Sequence, residues 1–505
     1  MNPSLASLIY ACGIAGLFYL GRDSSVTSKA LWLPVIYLWI MGSRSVSLWL
    51  GVTPANGTNV QLDGSPLDAL VYGLLLAAAL VVLIRRGKRP VILLTANWLI
   101  LIYFSYCLVS VTWAYFPDIA FKRWIKAISD PVMVLIILTD GQPIAAIRRL
   151  ISRVGFILLP TSVLLIKYYS DLGRVYTIDG DQTNTGVTLN KNSLGLIVLV
   201  ISLGALWNLL SLVIHKHEPN RGRRLVAQGT LLAFGLTLFG MADSATCIAC
   251  FILGGGLILL TNVRAIKSRP ARVHALCATI ILIGGATFLF GGDAAVVHAL
   301  GRKSNLTGRT EIWAAVIPAV SNPIVGDGFE SFWIGPGVHT MARALSGWWN
   351  PETNINEAHN GYIEVYLNLG WIGVCLIALI LIGGYRSAVA AFRLNPPIGG
   401  LMLTYIVISA VYSISEAGFR SLELNWLFLL LGIVSATGVA AGLFGGAQSG
   451  VSTVRGPSGN RICLEPDQSV KTKRVAGWRR AGALPRRNSL PRNITPRLDR
   501  YPVQA

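Results

Sequence analysis

Residues 354–383 read NINEAHNGYIEVYLNLGWIGVCLIALILIG. The stretch begins polar, passes through His359 and Asn360, and becomes an apolar run that still carries one carboxylate, Glu364. About 20 apolar helical residues cross a hydrocarbon layer ~30 Å thick, so 361–383 reads as a membrane span entered from its polar end. His359 falls at the water–lipid boundary, one turn above the apolar body, with Ile363 and Glu364 below it on its face. A lone histidine there is ordinarily a capping or interfacial residue. The carboxylate needs a partner or water, because a charged side chain at the centre of a membrane helix costs about 2.5–3.5 kcal/mol.

The same apolar grammar recurs through most of the 505 residues, of which 53% are hydrophobic and 13% charged, with a mean hydropathy of +0.58. No water-soluble globule buries such a composition in one core. Spans are expected near 4–20, 31–50, 67–84, 91–113, 125–140, 151–169, 193–214, 225–242, 244–262, 273–291, 361–383, 399–417 and 422–444. The first lacks the basic leading segment and small-residue cleavage site of a signal peptide and reads as a helix. The fold class is therefore all-α, a polytopic bundle of about 12–13 transmembrane helices.

Lysine and arginine fix the orientation, since basic short loops resist translocation. Clusters such as Arg85, Arg86, Lys88 and Arg89, or Arg148, Arg149 and Arg153, follow every odd-numbered span, which makes those loops cytoplasmic. The chain divides into N-terminal transmembrane helices (1–291, about ten spans), a long loop with short helices on the opposite face, outside the cell or in the periplasm (292–360), C-terminal transmembrane helices (361–444) and a basic tail (445–505). That tail holds twelve Lys or Arg against three acids, part of a net charge of +20. Its Pro, Gly, Ser and Arg content predicts disorder, and its charge predicts contact with anionic lipid and no nucleic acid. Long loops with structure of their own usually carry function.

Several motifs invite chemistry and reduce to structure. Cys247 and Cys250 form a lone pair inside an apolar span with no second pair, which predicts helix packing over metal or redox chemistry. Asp179 and Asp181 are two acids in a short turn with no further ligand at metal spacing. Asn56-Gly-Thr58 and Asn305-Leu-Thr307 match a glycosylation triplet that arises by chance. In NLTGRTEIWAAVIPAV, Thr307 or Gly308 can cap a helix whose first turn holds Arg309 and Glu311. An arginine does nothing for a helix N-terminus by itself; a bound anion or an acidic partner would account for it. SNPIVGDGFESFWIGPG then reads as a compact irregular turn.

TGRTEIW, NPIVGDGFESFW and AHNGYIEVYLNLGWIG, in this order across one outer loop, resemble the signature of the O-antigen ligase and polymerase family of bacterial membrane glycosyltransferases. LFYLGRD, LWLPVIYLWIMGSRSVSLWLG and LNKNSLG resemble its exopolysaccharide repeat-unit polymerase branch. The likeness extends over everything except the tail. It implies an inner-membrane, multi-pass glycosyltransferase, active at the periplasmic face, that needs no metal or cofactor. Its donor would be an oligosaccharide on undecaprenyl diphosphate, and its partners membrane lipids, a chain-length regulator and a flippase. The resemblance makes His359 and Arg309 the catalytic candidates. An imidazole suits accepting a proton from the attacking hydroxyl, and a guanidinium forks onto phosphate oxygens.

Further cations would complete a phosphate clamp. Lys122, Arg123 and Lys126 in FKRWIK lie on the outer side, against the charge rule, and Lys191 enters its span from outside. Asn360 and Glu364 complete the expected substrate-binding set. Arg44 ranks below them, with Glu416 or Glu364 as its expected partner. Ligases of the family often place a basic residue after the serine opening the helix before the long loop, where ADSATC has Ala245, and this favours polymerase over transfer to lipid A core. A transporter or flippase is the reading from another class, disfavoured because no repeated halves are visible. In a partner-binding protein the tail would be the working part, whereas the enzyme reading expects deletion of 446–505 to be tolerated.

Overall fold

The computed structural model describes residues 2–23, 25–52, 64–176, 182–289, 309–336 and 356–444. The expectations for Asp179, Asp181, Thr307, Gly308, the two glycosylation triplets and the tail lie outside the described residues. In chain order the main helices are α1 (Pro3–Leu20), α2 (Trp32–Met41), α3 (Pro66–Arg85), α4 (Arg89–Ala96), α5 (Trp98–Ser110), α6 (Pro117–Leu138), α7 (Pro143–Tyr168) and α8 (Lys191–Ile214). They continue as α9 (Arg221–Ala242), α10 (Ala245–Thr261), α11 (Pro270–Leu289), α12 (Arg309–Val316), α13 (Gly361–Leu394), α14 (Pro396–Tyr412) and α15 (Leu424–Ala440). One small antiparallel hairpin pairs β1 (Arg174–Tyr176) with β2 (Gln182–Asn184).

The protein is an all-α polytopic membrane bundle. Among the described residues, six helices are long and apolar enough to cross a membrane, and α4 with α5 makes a seventh if the bent pair is one span. Shorter apolar helices, together with α6, occupy the remaining expected spans. α6 misses the apolar criterion because its first half carries Asp118, Lys122, Arg123 and Lys126. α14 and α15 are apolar all round and buried on nearly every side, as befits helices at the centre of a bundle. α1 and α3, equally apolar, bury only 11% of their spans and face outward.

Three spans expected to be continuous are broken: 31–50 is helical only to Met41 before a short helical turn at Val46–Trp49, and the other two are each broken by a residue with a physical reason to break it. Between α4 and α5 the chain bends by 85° at Asn97. The Asn97 side chain donates to Leu93 O at 2.8 Å and accepts from Thr437 Oγ1 at 2.9 Å, which offers the backbone an alternative to the helical ladder. In α13, Gly370 adopts φ 62°, ψ −165°. A Cβ there would lie 2.2 Å from Ile324 O, so only glycine permits the close approach.

That break docks the loop that follows α12. Trp371 N donates to Pro323 O (2.9 Å), Asp327 N to Leu367 O (3.0 Å) and Gly328 N to Asn368 O (2.9 Å). Asn368 Oδ1 accepts from Ser331 N at 2.9 Å and Phe332 N at 3.2 Å. NPIVGDGFESFW and NLGWIG are therefore two halves of one joint, in which backbone groups freed by the kink find partners in the loop. A small apolar cluster of Val316, Phe332, Ala358 and Leu367 seats α12 on the same joint.

Cys247 and Cys250 are buried free thiols within α10, as packing residues should be. Arg44 departs from expectation. Its guanidinium donates to Leu172 O and lies 5.6 Å from the Trp49 ring centroid, so the expected Glu416 or Glu364 partnership is absent. The loop carbonyl and indole lie within its own neighbourhood and satisfy it there.

Candidate active site

α13 begins at Gly361, where the expected span begins, because Asn360 caps it, so His359 lies outside the helix and does not share a face with Ile363 and Glu364 as expected. Asn360 Oδ1 accepts from Tyr362 N (3.0 Å) and Ile363 N (3.1 Å), and its Nδ2 donates to Ile414 O at 2.9 Å. His359 is thereby released from the helical face and takes φ 48°. Left-handed backbone is uncommon for any side chain bearing a Cβ and costs on the order of 1–3 kcal/mol, so the surroundings must hold it. Gly361 N donates to Ser413 O at 2.7 Å, which ties this elbow to the connection between α14 and α15.

That connection, 413–423, supplies Glu416 and Arg420. Glu416 is only 5% exposed and its two oxygens face different partners. Oε1 pairs with Arg309 Nη2 at 3.0 Å and accepts from Asn192 Nδ2 at 3.3 Å; Oε2 lies 3.5 Å from His359 Nδ1. Glu357 Oε1 approaches the same Nδ1 at 3.1 Å. Neither approach is aligned as a hydrogen bond, so Nδ1 sits between two carboxylates in ion-pair contact. Arg309 opens α12, which Trp313 anchors by donating from Nε1 to Ala358 O at 2.8 Å. The two residues proposed from sequence to act together are thus joined through one carboxylate.

The electrostatics of His359 follow from that arrangement. Burial works against the imidazolium, but the contact with Glu416 and the negative charges of Glu357 and Glu416 outweigh both burial and the opposing charge of Arg309. The pKa is raised above the ordinary histidine value. Glu357, His359 and Glu416 also bring one potential ligand atom each within 4.8 Å of one another, a set that can hold a metal ion. Arg309 already occupies Glu416 Oε1, so a metal there would share its carboxylate with a guanidinium.

Arg420 continues the network. It lies 3.7 Å from Glu330 Oε2, 3.8 Å from Glu357 Oε2 and 3.9 Å from Glu364 Oε1. Burial opposes its charge, yet the surrounding glutamates hold its pKa above the usual arginine value. Glu364, 3% exposed, finds the partners a membrane carboxylate requires: Trp333 Nε1 donates to it at 2.6 Å and Ala358 N at 3.0 Å. It pins the FESFW turn to the histidine elbow.

Beside Arg420 opens a cavity of about 540 Å³ between α3, α6 and the 330–334 and 420–422 segments. Lys122, Arg123, Lys126 and Arg420 line it, together with the apolar side chains of Leu76, Ile119 and Ile125 and the ring of Tyr72. Arg123 also donates to Glu330 O. Three of the cations singled out in the sequence therefore converge on one cavity. Lys191 does not line it; it stands at the first turn of α8 next to Asn192, on the Glu416 side. Asn360 and Glu364 do not line it either, and their side chains are engaged in the cap and staple just described.

Glu330, His359 and Leu422 all have positive φ, and all belong to this region. Leu422 N donates to the buried Asp130 at 3.1 Å, and Asp130 also accepts from Tyr37 OH at 2.7 Å, which ties the strained turn to the bundle. Strain held by such surroundings is characteristic of working sites.

Sequence reasoning missed Arg420 and the role of Glu416. Arg420 carried a usable signal, because a cation in the short connection between the last two spans, which the loop charges assign to the outer side, runs against the charge rule just as FKRWIK does.

The family described as O-Antigen ligase matches residues 229–378, a range that includes Arg309, His359, Asn360 and Glu364. The chain is also 27% identical over 321 residues to the exopolysaccharide production protein ExoQ of Rhizobium meliloti (strain 1021), covering 62% of this chain and 69% of that protein. Together the two similarities support the O-antigen ligase family, near its exopolysaccharide branch, and a membrane process of polysaccharide-related glycosyl transfer.

Proposed function

We propose that this protein polymerises oligosaccharide repeat units carried on undecaprenyl diphosphate, at the periplasmic face of the inner membrane, by a metal-independent glycosyl transfer. The observation that carries the reading is the joining of Arg309 and His359 through Glu416 beside a cavity lined by both basic and apolar side chains. A lipid diphosphate demands both kinds of lining: cations for the phosphates and apolar surface for the chain.

In the reaction a sugar hydroxyl of one lipid-linked unit attacks the anomeric carbon of another. The C–O bond to the diphosphate breaks, and the diphosphate leaves with the bonding pair. His359 Nδ1 faces Glu357 and Glu416, which leaves Nε2 to accept the hydroxyl proton, and the two carboxylates stabilise the imidazolium that forms. Lys122, Arg123, Lys126 and Arg420, which line the cavity, offset charge on the departing phosphates, and Arg309, which pairs with Glu416 and does not line the cavity, joins them from the His359 side. Asn360 and Glu364 act by positioning the elbow. Lys191, at the mouth of α8, is proposed to contact the saccharide.

The test is expression of His359→Ala and Arg309→Ala in a deletion strain. Loss of polymer with single repeats left on lipid carrier supports the proposal; normal polymer from both variants rejects the site assignment. A second reading rests on the description of the matched family, O-antigen ligase. Under it, the same variants would accumulate long chains that never reach lipid A core. A transporter would instead lose uptake or flipping of its solute in both variants.

A further inference from the structure

At the far end of the bundle a second cavity, of about 550 Å³, opens among α1, α2, α7, α8 and α9. The α8 helix relates the two regions: Asn192 at its start contacts Glu416, and Asn208, sixteen residues on, lines the second cavity. At 1.5 Å per residue they stand about 24 Å apart along the axis. This end gathers the basic clusters that the charge rule assigns to the cytoplasm.

The cavity is built for an anion. Arg22, Arg148, Arg149, Arg153 and Arg224 line it, against Asp23 in the lining and Glu218 behind Arg148 and Arg224. Arg149 is fixed by donating to Thr27 Oγ1 (2.7 Å) and Asp23 O (2.9 Å). Arg148 is fixed by Ser211 Oγ at 2.7 Å and by the Trp207 ring, 5.0 Å away. Arg153 lies 4.5 Å from the Trp32 ring centroid and has no carboxylate partner among the described residues. A preformed array with excess positive charge is what phosphate recognition requires.

Buried polar atoms on the same wall lack partners. Asn208 is 5% exposed, and neither its Oδ1 nor its Nδ2 makes a hydrogen bond. Gln228, also 5% exposed, donates from Nε2 to Ser152 Oγ at 2.9 Å and leaves Oε1 unpaired. Arg148 Nε is unpaired as well. Buried polar groups without partners are costly, and here they cluster on one cavity. Asn208 Nδ2 and Arg148 Nε offer donors to an anion, while Asn208 Oδ1 and Gln228 Oε1 call for hydroxyl donors.

We propose that this cavity binds a hydroxyl-bearing phosphate ester of the phosphoglycerol type, as an anionic lipid headgroup or as the free ester. Arg148, Arg149 and Arg153 take the phosphate, and Asn208 and Gln228 take the hydroxyls. The site is independent of the transfer centre.

The experiment reconstitutes the full chain in phosphatidylcholine nanodiscs and follows Tm, with phosphatidylglycerol incorporated in one arm and sn-glycerol 3-phosphate added in the other. Wild type and Arg309→Ala are expected to shift upward alike, which separates this site from the proposed catalytic one. Arg153→Gln, at a half-exposed position, and Asn208→Leu are expected to weaken the response about tenfold. A shift with phosphatidylglycerol alone assigns the ligand to lipid; a shift with glycerol 3-phosphate also assigns it to the soluble ester. No shift in either arm, or an equal response from both variants, overturns the proposal, the latter by revealing only a general effect of anionic surface.

Discussion

Replacing Glu416 by glutamine keeps the shape of the carboxylate and removes its charge from between Arg309 and His359. Breaking a fully buried charge pair costs about 3–5 kcal/mol. The Arg309 and His359 side chains retain 20% and 30% of their exposure, and an amide oxygen still accepts a hydrogen bond, so the cost is discounted to about 2 kcal/mol. If the pair orients the imidazole for proton transfer, turnover at pH 7 falls roughly 30-fold. The pH profile gives a second readout. Burial of His359 works against its charge, but Glu416 and Glu357 raise its pKa above the ordinary value, and a neutral imidazole is needed to take the proton. Activity should therefore rise with pH along a limb lying above ~6.5. Glu416→Gln moves that limb to lower pH. Folding stability follows the opposite direction. The raised pKa stabilises the fold fully below ~6.5, and this contribution fades as the pH rises through the folded value. The assay is release of polyprenyl diphosphate from a lipid-linked oligosaccharide by purified protein in nanodiscs. An unchanged rate and an unmoved limb in Glu416→Gln would refute the reasoning.

Three more outcomes follow from the geometry. Gly370→Ala forces a side chain into left-handed backbone with Cβ 2.2 Å from Ile324 O; a loss of about 3 kcal/mol or more is expected, read as a lower unfolding midpoint and faster proteolysis of the 323–336 loop. Arg420→Ala leaves Glu330, Glu357 and Glu364 without their shared cation, and about 3 kcal/mol of stability should go with it; Arg420→Lys should recover part of this in the same unfolding measurement. Chelation with EDTA should leave transfer unchanged, and restoration of a lost rate by a divalent ion would show that Glu357, His359 and Glu416 hold a metal.

The helical membrane architecture was legible because apolar runs near 20 residues have few other solutions, and each expected span contains helix, although 31–50 is helical only to Met41 before a short turn. The breaks at Asn97 and Gly370 were not. An asparagine or glycine inside an apolar run reads as tolerated until its tertiary partners are known: Thr437 is 340 residues from Asn97, and Ile324 is 46 from Gly370. At the candidate site, Arg309 and His359 could be named from short motifs, but nothing along the chain says they meet. Their meeting depends on Glu416, which sits at the end of a span where a carboxylate reads as interfacial. Lys122, Arg123 and Lys126 were readable from charge on the outer side, and Arg420 was open to the same argument. Asn360 and Glu364 were noticed as polar residues beside a histidine; their geometric roles, a helix cap and a staple to Trp333, needed coordinates.

The central claim is that the imidazole of His359 and the guanidinium of Arg309, held on one carboxylate, discharge sugar from a polyprenyl diphosphate. It is tested most directly by incubating purified wild type, His359→Ala and Arg309→Ala with a lipid-linked repeat unit and measuring polyprenyl diphosphate released together with saccharide length. The account predicts release and chain growth by wild type, and neither by the two variants when they are folded as judged by an unchanged unfolding midpoint. Equal release and growth by either folded variant would contradict it.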